Sequence, residues 1–274
     1  MTPDFSNDPR LAALRAATVR LTQPGLPFEV AEETVLGEPN RVFRNRARSM
    51  RDVLEGAQRH GERDCYVFDD GRRIPFSELV QQVGSLAGVL RDRHGIGPGD
   101  RVAICAANSP EWILMLWALA SLDAVLVAMN GWWTGAEMTT ALALTDPKLL
   151  VMDERRRSRL DRDPEMPLLL VERDFEGLTG DRAAALPDTP IDEDDPFILI
   201  FTSGTTGRPK AAVLSHRAVI AYLMEQSFIG ARSMALAGLT APPEGPPPVR
   251  LAPYPLFHVS GLSMVVSSVM TGST

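Results

Sequence analysis

The chain reads as an α/β protein with mostly parallel sheets covered by helices. Three observations carry that reading. Short apolar runs alternate with stretches of helical length between residues 77 and 171, the runs are apolar on nearly all sides, and helix-capping signals stand ahead of the helical stretches. Alternation of this kind is the mark of right-handed βαβ crossovers, which lay helices on both faces of a sheet.

Taken in order, residues 1–48 are rich in Pro, Gly and Arg and show no sustained period, so they are expected to form an extended lead-in with at most a short helix at 11–21. Ser49 caps a helix carrying Val53, Leu54 and Ala57, and Gly61 ends it. Residues 65–68, the turn Asp69-Asp70-Gly71 and residues 73–76 predict a β-hairpin. Ser77 opens a helix with Leu79, Val80, Val83, Leu86, Ala87 and Leu90 at helical spacing, closed by Gly95. A turn at 97–100 leads into a buried strand at 101–106. Asn108-Ser109-Pro110-Glu111 then starts a helix with proline in its first turn.

Residues 112–129 are almost wholly apolar and invite a check as a membrane span. Asp123 interrupts them, so a buried helix passing through a turn at 121–123 into a strand at 124–129 is the better account, and no transmembrane segment is expected. Thr134 and Glu137 form a capping box for a helix reaching about residue 144, and strands follow at 148–152 and 167–171. The acidic, proline-bounded, non-periodic stretch 187–196 marks a linker. The expected organisation is a lead-in at 1–48, a first α/β subdomain at 49–186, the linker at 187–196 and the start of a second α/β subdomain at 197–274.

With 28 Lys+Arg against 35 Asp+Glu in 274 residues, the net charge of −7 speaks against non-specific binding to nucleic acid or to anionic membrane. The arginines within 41–51 and 155–159 read as solvated helix faces, and the acids of 192–195 as a solvated loop, with no metal site assigned. Cys65 and Cys105 lie in apolar runs and are expected to be small buried hydrophobes, which suits a reducing cytoplasm. The first ten residues lack the basic and apolar regions of a signal peptide.

The chemistry concentrates at 198–216, ILIFTSGTTGRPKAAVLSH. An apolar strand at 198–201 runs into Thr202, Ser203, Gly204, Thr205, Thr206 and Gly207, which offer hydroxyls, backbone N–H groups and two positions without Cβ. Lys210 adds a mobile cation, and Ser215 caps the helix that follows. A turn of this composition can simply join two strands, but the density of hydroxyls favours a cradle for polyphosphate. Walker A spacing is excluded, because Gly204 and Gly207 are three apart and Ala211 follows Lys210.

The string TSGTTGRPK followed by LSH resembles the phosphate-binding signature of the adenylate-forming, AMP-binding superfamily, which includes acyl-CoA synthetases. A second string, PLFHVSG at 255–261, resembles another core motif of that family. The resemblance implies the fold of the N-terminal domain of these enzymes, present incompletely. It implies that a carboxylate, fatty or cyclic/aromatic, is joined to ATP to give an acyl-adenylate and then passed to coenzyme A, with Mg2+ assisting. It implies phosphate contacts from Thr202, Ser203, Thr205 and Thr206, backbone shape from Gly204 and Gly207, and charge from Lys210. Phe257 and His258 would stand at the acyl pocket near the carboxylate, with Gly261 opening room behind them.

Ala211, and Asp123 where a turn glycine is common, depart from the family pattern. The Tyr-Gly-x-Thr-Glu type motif, the ribose-binding aspartate and the C-terminal domain with its lysine, all of which the resemblance implies, do not occur in residues 1–274. The sequence therefore predicts an N-terminal portion of a ligase that is inactive by itself and poorly soluble, whose C-terminal half either lies outside residues 1–274 or is supplied in trans. The alternative is a non-catalytic nucleotide-binding or interaction module, or the remnant of a truncated ligase gene.

Overall fold

The computed structural model describes residues 8–180, 184–202, 210–239, 245 and 247–274. Two compact units emerge from the packing, one joining the chain up to Ala47 with Ala218–Pro246, the other joining Arg48–Arg217 with Pro247–Thr274.

The first unit begins with α1 (Pro9–Leu21), where Asp8 accepts from the Arg10 N–H at 2.8 Å. Strands β1 (Val30–Val35) and β2 (Glu38–Phe43) then pair antiparallel. Leu36 at φ 50° and Gly37 at φ 88° make the two left-handed turn positions that a tight hairpin requires. Residues 9–43, expected as extended chain with at most a short helix, thus hold a helix and a hairpin. Strand β2 exposes its first four residues, so no buried face stamped a period of two on the sequence.

The second unit opens with α2 (Met50–Glu55), capped by Ser49 in a full capping box with Asp52, and continues through a 3-10 turn at Gly56–His60 that ends at Gly61. Strands β3 (Asp64–Val67) and β4 (Arg73–Pro75) form the predicted hairpin. Helix α3 (Phe76–His94) ends at Gly95, φ 62°, whose N–H bonds the Arg91 carbonyl while that of Ile96 bonds the Leu90 carbonyl. It starts at Phe76 with no side-chain cap. Ser77 is inside the first turn and donates its hydroxyl to Glu62 at 3.0 Å, so its predicted role as the opening residue is corrected.

Next come β5 (Arg101–Cys105), α4 (Pro110–Ser121), β6 (Val125–Ala128), α5 (Gly135–Thr145) and β7 (Leu149–Met152). A short α6 (Glu154–Arg157), β8 (Leu168–Leu170) and a short α7 (Val171–Asp174) follow. Beyond the acidic segment lie β9 (Pro196–Thr202), β10 (Lys210–Ser215), α8 (His216–Leu236) and finally α9 (Val259–Thr271). Ser109 caps α4 by accepting from the Trp112 N–H, and Asp123 takes the left-handed turn at φ 57°. Trp112 through Ala120 are buried, as befits a helix with no solvent face, and no helix of the described residues is long and apolar enough to cross a membrane.

One six-stranded sheet runs in the order β10-β9-β6-β5-β7-β8, parallel throughout except for the β9–β10 pair. β9 pairs directly with β6, so the sheet takes strands from both sides of residues 187–196. The chain steps from β5 to β6 in one direction and returns past β5 to β7, and right-handed crossovers then lay α4 and α5 on opposite faces. On the α5 face, Ala103, Cys105, Val127, Leu150 and Met152 meet Met138, Ala141 and Leu142. Each of the buried Val, Leu and Met side chains among them contributes about 1.5–3 kcal/mol.

Candidate functional site: a hairpin and an aromatic loop

Thr202 ends β9 and Lys210 begins β10, and the two are register partners. The Thr202 hydroxyl points at the Lys210 carbonyl at 3.5 Å, and both residues are exposed. The stretch predicted to cradle phosphate is therefore spanned by an antiparallel strand pair, and residues 210–215, which carried no strand expectation, form its second arm. Ser203, Gly204, Thr205, Thr206 and Gly207 lie outside the described residues. The α8 helix starts at His216, directly after Ser215.

The second motif forms the entry to α9. His258 is its N-cap and is exposed; its Nδ1 accepts from the Ser260 N–H at 3.3 Å and lies 2.8 Å from the Ser260 hydroxyl. Gly261 is buried where the helix meets its own approach, since a Cβ there would collide with the carbonyls of Pro255 and Tyr254. Asn108 holds that approach at two points, donating to the Tyr254 carbonyl at 2.9 Å and accepting from the Leu256 N–H at 3.0 Å.

One loop brings the two motifs together. Between β6 and α5, Trp132 meets Phe257 edge-on with ring centres 5.3 Å apart, while its neighbour Trp133 meets Phe201 edge-on at 4.8 Å. Phe201 is the residue before Thr202, so adjacent tryptophans touch the strand that ends at Thr202 and the ring that precedes His258. Trp132 is 70% exposed, which leaves its outer face free.

Sequence reasoning missed what fixes this loop. Arg156 donates to the Gly131 carbonyl at 3.1 Å, and Arg159 donates to the Gly131 and Trp133 carbonyls at 2.9 and 3.1 Å. Arg156 is itself paired with Asp153, which also accepts from the Ala107 N–H. These arginines were expected on a solvated face; they are instead partly buried and bound to backbone oxygens. In the other arginine stretch Arg41, Arg44 and Arg48 are exposed as expected, but Arg46 is buried against Glu33, and Arg51 donates to the Pro187 and Thr189 carbonyls. Only the absence of a clear amphipathic period at 155–159 could have signalled it.

The acids of 192–195 are not left to solvent either. Glu193 is paired with Arg48 and Arg217, Asp194 with Arg217, and Asp192 and Asp195 accept from neighbouring backbone N–H groups. A cavity of about 500 Å³ opens at the ends of β5 and β7, lined by Ala107, Glu111, Asp153, Glu172 and Phe175 among others, and holds none of the predicted site residues. Another of about 440 Å³ lies beneath Leu256 and Val265.

The hydroxyl of Thr202 at the end of β9 and Lys210 at the start of β10 thus face one another, with Trp133 against the strand that leads to Thr202. The family of AMP-binding enzymes matches residues 53–274, and the chain belongs to that family. Similar proteins include the 4-coumarate–CoA ligase-like 5 of Oryza sativa subsp. japonica, 34% identical over 210 residues that make up 74% of this chain and 38% of that one. The 2-succinylbenzoate–CoA ligase of Oceanobacillus iheyensis is 32% identical over 207 residues, 75% of this chain and 39% of that one. The chain thus spans well under half the length of these relatives. Among solved structures, the inhibitor-bound N-terminal domain of FACL13 from Mycobacterium tuberculosis superposes with a TM-score of 0.70 at 25% identity, covering 83% of this chain and 56% of that one. VinN in complex with 3-methylaspartate gives 0.71 at 19% identity over 83% and 61%, a likeness of fold alone.

Proposed function

We propose that this chain supplies the phosphate- and acid-binding part of an ATP-dependent ligase that activates a carboxylic acid as its acyl-adenylate and then forms an acyl-CoA. The observation that carries the reading is the contact of adjacent Trp132 and Trp133 with Phe257 and Phe201, which draws the two motif stretches onto one loop.

In the first step a carboxylate oxygen bonds the α-phosphorus of ATP as the bond to the β-phosphate oxygen breaks, releasing pyrophosphate. In the second a thiol replaces AMP at the acyl carbon. Negative charge meets negative charge in the first step, and the nucleophile is already ionised, so no general base is called for. Lys210 offsets charge on the departing phosphates. Thr202 donates its hydroxyl, and residues 203–207 add donors of the same kind, each charge-assisted bond contributing about 1.5–3 kcal/mol. Phe257 and Trp132 form an apolar wall for the acid, His258 stands at its carboxylate, and Gly261 lets the approach to α9 fold close behind.

The aromatic wall suits a fatty or cyclic/aromatic acid better than a charged amino acid. Coenzyme A is the thiol in this reading. Magnesium does not fit the carboxylates at the root of the hairpin, because Glu193 and Asp194 are already held by arginine, so no step is routed through it.

Titration of residues 1–274 with ATP and with inorganic pyrophosphate tests the reading. Both are expected to bind, and Lys210→Ala is expected to weaken both about tenfold or more. Binding that is absent, or equal in the variant, removes the hairpin from the mechanism.

A further inference from the structure

The root of the hairpin is built around one buried side chain. The register of β9 and β10 slips between Leu214, which faces Ile198, and Ser215, which faces Pro196, leaving Phe197 as the extra residue of a bulge. The next residue, His216, is fully buried, with its ring 5.1 Å from that of Phe197. Its backbone N–H donates to the Asp195 carbonyl at 3.2 Å. Its Nδ1 accepts from the Met50 N–H, at the head of α2, at 3.0 Å. Its Nε2 faces Asp123 Oδ1 in the α4–β6 turn at 3.7 Å, and neither of those two buried atoms has a hydrogen-bond partner among the described residues. A single imidazole therefore meets α2, the α4–β6 turn, the acidic segment and β9.

An acceptor at Nδ1 fixes the state of the ring, which must be neutral with its proton on Nε2. A proton on Nδ1 would set two donors against each other and orphan the Met50 N–H. The surroundings guard that state. Burial, opposed by Asp195 and Asp52 and assisted by Arg51, pushes His216 down to about 4. Burial, then Asp195 and Asp192, partly offset by Arg51, push Asp123 up to about 6. On acidification the proton goes first to the carboxyl, and the ring keeps its acceptor.

We propose that His216 is the positioning residue of the β9–β10 hairpin, its uncharged ring tying the root of the pair to α2 through Met50 and packing beside Asp123 of the α4–β6 turn. The functional weight of this inference rests on the hairpin's proposed role with phosphate; its test does not.

The test uses residues 1–274 with nitrogen-15 histidine spectra and amide hydrogen exchange. Between about pH 6 and about pH 8 the wild-type ring is expected to show an unprotonated, hydrogen-bonded Nδ1, and the Met50 amide to be protected. His216→Asn, which keeps an acceptor near the Nδ1 position, is expected to hold Met50 and β10 protection. His216→Leu is expected to lower both about tenfold while β1 and β2 are unchanged. A proton on Nδ1 in the wild type, equal protection in the Asn and Leu variants, or a loss spread evenly over both units overturns the proposal. Should the Leu variant not fold, the wild-type spectrum and the Asn variant decide. Pyrophosphate titration of the same samples is read separately: wild-type protein that fails to bind it while Met50 stays protected sinks the phosphate reading and leaves the latch standing.

Discussion

Trp133 stands edge-on to Phe201 with ring centres 4.8 Å apart and planes at 76°, one residue before β9 ends at Thr202. The contact joins the β6–α5 loop to the strand whose end carries Thr202. Edge-to-face pairs contribute about 0.5–1.5 kcal/mol beyond the area they bury. A double-mutant cycle with Trp133→Ala and Phe201→Leu, followed by urea unfolding, is expected to return a coupling of that size. Additive single effects would mean that the Trp133–Phe201 contact does not help to hold the loop.

The buried His216 and Asp123 predict opposite dependences on pH. Asp123 is raised to about 6 from 3.8, so its share of stability is complete below the lower value and is lost as pH rises through the upper. His216 is depressed to about 4 from 6.5, so its share is complete above 6.5 and is lost as pH falls toward 4. Between about 4 and about 6 the two slopes oppose, each at most about 1.4 kcal/mol per pH unit. Relative to wild type, Asp123→Asn should gain stability with rising pH across this window, and His216→Asn should lose it. Urea midpoints at several pH values check the signs, and shifts of the same sign in both variants would refute the assignment.

Gly261→Ala pushes a methyl group into the carbonyls of Pro255 and Tyr254. Both obstacles are backbone, so relief requires α9 to move away from its own approach. The expected loss is about 1–3 kcal/mol, with weakened contact between Phe257 and Trp132 visible as altered tryptophan emission. Unchanged stability and emission would show that the approach yields freely.

Cys65 and Cys105 are both fully buried, and burial pushes both thiols up, Cys105 to about 12. A thiol-specific reagent at about pH 8 should label neither in the native chain and both in denaturant, since only the thiolate reacts. Rapid native labelling would reveal an opening of the β3–β4 hairpin or of the six-stranded sheet at β5.

Much of the second unit was legible because its elements carry local signals. Ser109, Thr134 and Gly95 announce helix ends by chemistry that acts within four residues, and the apolar runs of β5, β6 and β7 are buried on both faces. Strand β10 was illegible for the opposite reason: Ala211 to Ser215 lie at a sheet edge, half exposed, without alternation. The arginines that staple Gly131 and Trp133 were misread because a bond to a distant carbonyl leaves no mark on nearby residues. His216 was legible only as the last letter of LSH; its partners Met50 and Asp123 come from far along the chain.

The β9–β10 pair differs from the rest of its sheet in the order in which it can be assembled. Its arms are joined by a short stretch of chain, and local hairpins close in about 1–10 μs. The parallel pairing of Ile198 with Leu126 must first bring together segments separated by three helices and two strands. Non-local pairings of this kind form later, after a larger loss of chain entropy. The two arms on either side of residues 203–209 can therefore pair with each other before they join the sheet, and docking onto β6 selects a ready-made part.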